Sequence, residues 1–421
     1  MANDDVEVVV IGGGAAGIAA AQRLCRASIH ALVVEARGRL GGRAWTINAG
    51  SGFALDLGCG WLHSADRNPW RRVAEEQGAA IDKTPPPWMR PSLEIGFSRS
   101  QQGDFYRALT AFYARLGHAA TGELDAAAAS SLDPNCPWNG LINAVSTYVS
   151  GVELDRLSVQ DFHRYADTGV NWRVVAGYGA IISTYAANLQ TVLECPVARI
   201  DHGAKRIRVE TEKGVIAADH AIVTLPSSIL AAEQVSFTPL LPEKTRAALG
   251  LPLGLADKLF IALKDAEEFD KDSRLFGRTD RAGTGGYHFR PFGRPMIEAY
   301  FAGRLAADLE AGGEPAFFDF AVSELVGLLG SDFGRRLRPI RVHRWGRDPF
   351  ALGSYSFALP GSADCRAALA APVDGRLFFA GEACSRHDFS TAHGGWHTGV
   401  AAAEQVITAR RRAATRRNTA R

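Results

Sequence analysis

The chain has 421 residues, 47% apolar and 22% charged, an ordinary globular balance that fills two or three domains. A formal net charge of +2 excludes a strong overall pull toward nucleic acid or a membrane surface, and no run of about 18 apolar residues is present to span a bilayer. The six cysteines (Cys25, Cys59, Cys136, Cys195, Cys365, Cys384) form neither C-x-x-C nor a zinc-ligand cluster, so no metal is expected. They fit a reduced protein, and the acidic start MANDDVEVVV lacks the basic segment of a secretory signal, which makes the cytoplasm the expected location.

Val6 to Ile11 form a β-branched apolar run, the pattern of a strand buried on both faces. Gly12-x-Gly14-x-x-Gly17 follows, with Ala16 inside it, and then an alanine-rich helical stretch. The first glycine permits a tight turn, the second lets backbone approach a pyrophosphate, and the third lets helix and strand pack closely. The helix N-terminus then offers free N–H groups and a positive dipole end to phosphates. The next strand, HALVVEA, ends in Glu35 and Ala36, about twenty residues on, where a carboxylate accepts both hydroxyls of an adenosine ribose. These features predict dinucleotide binding and leave NAD and FAD both open.

The stretch ARGRLGGRAWT, with Arg37, Gly41, Gly42 and Arg43, suits backbone laid along an extended dinucleotide, with arginine donors for its phosphates. It resembles the fingerprint of the flavin-containing amine oxidase superfamily, which includes monoamine and polyamine oxidases and histone lysine demethylases. The resemblance implies FAD. It extends to ALDLGCGWLHSADRNPW, which is similar to the family's segment lining the flavin ring: Gly58 and Gly60 match backbone near the isoalloxazine, Trp61 packs there, and His63 sits near the substrate.

Residues 83–172 shift toward helical periodicity, with apolar spacing of three and four in DFYRALTAFYARLGHAA and Ser158 as a helix cap. Short strands return after residue 190, where Val197 matches the family's backbone contact to adenine. In GLADKLFIAL, Lys258 occupies the position of the family's active-site lysine, which implies a cation near the flavin that stabilises its negative charge and assists oxygen. In RWGRDPFALGSYSFALPG, Ser354 replaces the cysteine that monoamine oxidases bond to the flavin, so FAD is expected to be non-covalent. Tyr355 matches one wall of an aromatic cage, and Thr391 falls at the second wall, where monoamine oxidases carry tyrosine. Gly381 and Glu382 end the strand RLFFAGE near the FAD ribityl–pyrophosphate, and the resemblance implies a further FAD contact at Gly399, in the closing helix with His393 and Trp396.

The expected fold class is α/β. A doubly wound, Rossmann-like FAD-binding domain of the glutathione-reductase type (residues 1–72, 186–238 and 368–410) is interleaved with an α+β substrate-binding domain (73–185 and 239–367), followed by a basic, disordered tail (411–421). The implied function is FAD-dependent amine oxidation. A hydride passes from the amine α-carbon to flavin N5, the imine hydrolyses to aldehyde or ketone, and O2 reoxidises the flavin to give H2O2. The expected substrate is a polyamine-like or secondary amine, handled by a monomer or homodimer without nucleic acid or membrane. Three alternatives stand beside it: a desaturase or isomerase of an apolar substrate, an L-amino-acid oxidase using Arg90 or Arg290, and a flavin-binding interaction protein without turnover.

Overall fold

The structure, a computed structural model, describes residues 6–50 and 52–419, the last four of these for their backbone only. In chain order its main elements begin with β1 (Val6–Ile11), α1 (Ala15–Arg26) and β2 (Ala31–Val34). Three helices follow: α2 (Arg99–Ala119), α3 (Asn139–Ser150) and α4 (Val159–Arg164). Strands β3 (Thr191–Val192), β4 (Val197–Asp201), β5 (Ile207–Thr211), β6 (Gly214–Val223) and β7 (Ser236–Thr238) come next. A second set comprises β8 (Ala256–Leu263), β9 (Ser273–Phe276), β10 (Gly286–Phe289), β11 (Met296–Ala302), α5 (Glu314–Leu329) and β12 (Leu337–Val342). The chain closes with β13 (Leu377–Phe379) and α6 (Ala392–Thr419).

The first sheet has the order β7-β4-β5-β6-β1-β2-β3, with β13 alongside β6. Strand β1 runs parallel to β2 and β6, and β13 runs parallel to β6, so three distant stretches of chain build one α/β unit. Alternation along β1 explains its uniform hydrophobicity. Val9 and Ile11 face one core, while Val8 and Val10 face another shared with Ala20 of α1 and Ala403 of α6. Helices α1 and α6 touch closely because Gly399 has no side chain: a Cβ there would lie 2.1 Å from the Ala16 carbonyl oxygen.

The second sheet, β9-β10-β11-β8-β12, is antiparallel throughout. One face is apolar. Leu259, Ile261, Tyr287, Phe289, Ile297, Ala299 and Phe301 pack with Phe317, Ala321 and Leu325 of α5. Period-two alternation therefore sends Lys258, Glu298, Tyr300, Gly286, His288, Arg274 and Phe276 to the opposite face. That face meets the α/β unit across the central cavity. Helix α6 stays helical through basic residues 411–419, where the sequence suggested a disordered tail. Among the described residues no helix is long and apolar enough to cross a membrane.

Candidate functional site

A cavity of about 750 Å³ runs from the glycine turn after β1 to the polar face of the second sheet. Gly12, Gly14, Ala16, Glu35, Ala36, Arg37, Gly42, Arg43, Gly58, Gly60, Trp61, Val197, Gly381 and Glu382 all line it. So do His63, Lys258, Tyr355 and Thr391. Gly17 and Gly399 do not. Their role is close packing: a Cβ on Gly17 would lie 1.9 Å from the Gly12 carbonyl oxygen.

The glycine turn fits a dinucleotide. Gly12 has φ +106°, a left-handed conformation open to glycine, and its N–H donates to the Val34 carbonyl (2.8 Å). At Gly14 a Cβ would meet nothing nearer than 3.9 Å, so a side chain there would project into room that a pyrophosphate needs. Buried Glu35 accepts the Gly13 N–H (2.7 Å) on one oxygen and the Arg37 N–H (2.8 Å) on the other. Each oxygen retains acceptor capacity for a ribose hydroxyl.

The arginines and the acid near this end are more committed than the sequence suggested. The Arg37 guanidinium pairs with Asp348 (2.5 Å), and Arg43 donates to the Ser354 carbonyl and to Glu382, both at 2.8 Å. Glu382 accepts further from the Ser356 hydroxyl (2.6 Å) and the Ser390 N–H (2.8 Å). Burial pushes its pKa up, but Arg43, Ser356 and Arg366 outweigh burial and hold it below the usual carboxylate range. Glu382 thus clamps three chain segments around the cavity.

At the other end, Lys258 Nζ donates to the Asp56 carbonyl (3.1 Å) and lies 3.3 Å from Glu298 Oε1. Burial pushes the lysine pKa down; Glu298, Asp56 and Tyr300 push it up and prevail, so the ammonium is retained. Glu298 is the mirror case: burial raises its pKa and Lys258 and His288 bring it below the ordinary value. Tyr300, opposite Lys258 in the β8–β11 register, shares a 3.0 Å hydrogen bond with the Tyr355 hydroxyl, which also donates to the Tyr148 carbonyl (2.8 Å). Tyr300 and Tyr355 both line the cavity. Thr391, also on the cavity wall, caps α6: its hydroxyl donates to the Asp388 carbonyl (2.6 Å) and accepts the Gly394 N–H (3.0 Å).

His63 bonds Asn171 (2.6 Å), and burial holds its pKa below the usual value, leaving a neutral imidazole at the cavity. Trp61 packs edge-on to Trp88 at 4.5 Å between centroids. Asp167 is exposed and makes no ion pair among the described residues. Trp396 and His393 lie off the cavity wall. Trp396 packs against Trp70 (4.7 Å) and Tyr185 (5.4 Å), and His393 Nε2 sits 3.4 Å from Asp388. Neither Arg90 nor Arg290 lines the cavity; they bond the Asp272 and Phe269 carbonyls. Sequence reasoning missed Glu298 and Tyr300. The available signal was an acid and a tyrosine two apart in MIEAYFA, an otherwise apolar strand.

The comparisons agree with this geometry. The family described as flavin-containing amine oxidoreductase matches residues 15–108 and 157–407. Polyamine oxidase 3 of Oryza sativa subsp. japonica is 31% identical over 94% of this chain and 88% of its own length. Polyamine oxidase 2 of Arabidopsis thaliana is 29% identical over 94% and 87%. A rice protein named lysine-specific histone demethylase 1 homolog 3 is 29% identical over 95% of this chain but only 54% of its own length. A dinucleotide turn joined by one cavity to a buried lysine, matched across most of the sequence, means that the chain belongs to the flavin-containing amine oxidoreductases, FAD-dependent enzymes acting on C–N bonds.

Proposed function

We propose that the protein oxidises a small amine, secondary or polyamine-like, at the carbon next to nitrogen, giving an imine that hydrolyses to an aldehyde or ketone. The observation that carries this reading is Lys258, held charged beside Glu298 and opposite Tyr300, which bonds Tyr355, in the cavity that begins at the glycine turn. Bound FAD would supply the hydride acceptor and pass the electron pair to O2, giving H2O2. Gly12, Gly14, Glu35 and the first turn of α1 would hold its adenosine and pyrophosphate. Ser354, whose hydroxyl is bonded within backbone of Ala256 (2.8 and 2.9 Å), offers no thiol for a covalent link.

The chain's own work is binding, orientation and charge. Exposed Asp167 draws a cationic amine to the rim. The rings of Tyr300 and Tyr355, both on the cavity wall, offer π density to the incoming ammonium. Neutral His63 can accept a hydrogen bond from the amine or position a water. The substrate must shed its proton, since a protonated nitrogen has no lone pair to assist. Lys258 supplies a fixed positive charge where electrons accumulate, without reorganisation.

The test is anaerobic titration of the purified holoprotein with polyamines, arylalkylamines, N-methylated amines and amino acids, followed by visible absorbance. Bleaching by one amine class is expected. A flavin that stays oxidised with every amine and bleaches with dithionite would overturn the reading.

A further inference from the structure

The polar face of the second sheet is arranged in two rows across the strands. One runs Phe276, Gly286, Tyr300, Lys258, and the other Arg274, His288, Glu298, Phe260. Most charges on these rows have opposite partners. Lys258 has Glu298, and His288 lies 3.0 Å from Asp272. Nearby Arg173 has Asp82 (2.7 Å) and Asp272 (2.9 Å).

Arg274 is different. Its Nε donates to Ser92 Oγ (3.2 Å), Nη2 donates to the Tyr106 hydroxyl (2.9 Å), and its guanidinium stands over the Phe276 ring at 4.5 Å. Among the described residues no carboxylate is within ion-pair distance of it, and Nη1 makes no hydrogen bond. Nη1 is also absent from the fully buried unpartnered atoms, and the residue lines the cavity, so the free edge of the guanidinium has access to that space. Burial pulls its pKa down, with the Tyr106 hydroxyl opposing; an arginine nevertheless stays charged at neutral pH. A desolvated cation facing a cavity is costly unless an anion meets it.

We propose that Arg274, with Tyr106, binds the carboxylate of an amine substrate whose other end reacts beside Lys258, so that the substrate class is an ω-amino carboxylate. This rests on the amine-oxidase reading and replaces its polyamine-like substrate with an amine that ends in a carboxylate. Arg274 and Lys258 stand on strands three spacings apart, about 14 Å. An α-amino acid carries its carboxylate on the reacting carbon and cannot bridge that distance; a chain of several methylenes can. Phe105, Leu109, Tyr148 and Phe276 supply an apolar wall for those methylenes. A second ammonium at this position would face Arg274, which has no carboxylate within ion-pair distance among the described residues. Guanidinium recognition of a carboxylate is directional and charge-assisted, which adds specificity as well as affinity.

The experiment uses the purified holoenzyme and three chain-matched probes: octylamine, α,ω-diaminooctane and ω-aminooctanoate. Anaerobic flavin bleaching is followed for the wild type, Arg274→Gln and Arg274→Lys. The aminooctanoate should half-saturate at a concentration about tenfold below octylamine, a preference that collapses in Arg274→Gln and survives in part in Arg274→Lys. Wild-type protein alone gives a second readout: octanoate should compete with the aminooctanoate, and octanol at the same concentration should not. A preference for the diamine, a carboxylate preference that persists in Arg274→Gln, or absence of competition by octanoate would each overturn the assignment. If no probe bleaches the wild-type flavin while dithionite does, the amine-oxidase reading itself fails and the assignment falls with it.

Discussion

Glu298 Oε1 lies 3.3 Å from Lys258 Nζ, across adjacent strands of a sheet whose other face is hydrocarbon. Neither residue is tolerable alone at such depth, since an unpaired buried charge costs several kcal/mol, on the order of 3–5 when one partner is removed. As a pair they keep a permanent cation at the cavity. Glu298→Gln should remove the largest upward influence on the lysine pKa and leave burial to pull it down. The wild-type rate of substrate oxidation should rise with pH as the amine deprotonates and show no alkaline fall below about pH 10, the ordinary lysine value. In Glu298→Gln a falling alkaline limb should appear below that point. Superimposable pH profiles of kcat for the two proteins would contradict this.

Lys258→Met should slow turnover by at least about tenfold, equivalent to ~1.4 kcal/mol of lost stabilisation. Stopped-flow reduction and reoxidation, measured separately, locate the loss; the charge argument places it mainly in the reaction with O2. An unaltered reoxidation rate would remove the lysine from that step.

The glycine turn separates ligand room from packing. Gly14→Ala adds a Cβ that meets no protein atom nearer than 3.9 Å, so the protein should fold and retain little FAD. Gly17→Ala places a Cβ 1.9 Å from the Gly12 carbonyl oxygen, so stability itself should fall, by about 1–3 kcal/mol for an overpacked site. Urea denaturation and bound-flavin content, measured on both variants, distinguish the two effects.

Arg366 and Asp161 form an ion pair with both side chains at 0% exposure, N···O 2.7 Å, and the guanidinium lies 3.8 Å from the Phe389 ring centroid. The pair joins α4 to the chain just before β13. Asp161→Ala should cost about 3–5 kcal/mol by stranding the arginine. The paired change Asp161→Leu with Arg366→Met should cost less than Asp161→Ala alone. A larger loss in the double variant would mean that the pair is worth more than its desolvation.

Cys59 lines the cavity next to Gly58 and Gly60, yet burial, reinforced by Asp56, pushes its thiol up to about 12. On the order of one thiolate in ten thousand exists near pH 8, too little for ready alkylation. Iodoacetamide with peptide mapping should label exposed Cys25 well before Cys59. Fast labelling of Cys59 would show a more open cavity than the structure has.

What could be read from the order of residues was local. A β-branched run, three glycines at fixed spacing and an acid at the end of the next strand specify a dinucleotide turn because each acts through its own backbone within one βαβ unit. Lys258 was legible because its strand is apolar and the resemblance named its position. Tertiary structure decided the partners. Glu298 reaches Lys258, Tyr300 bonds Tyr355, Gly399 serves packing, and Arg274 is left without a carboxylate among the described residues. Each of these depends on which strands lie side by side, and strand order is set by loops and burial far away in sequence, so no spacing rule along the chain could reveal it.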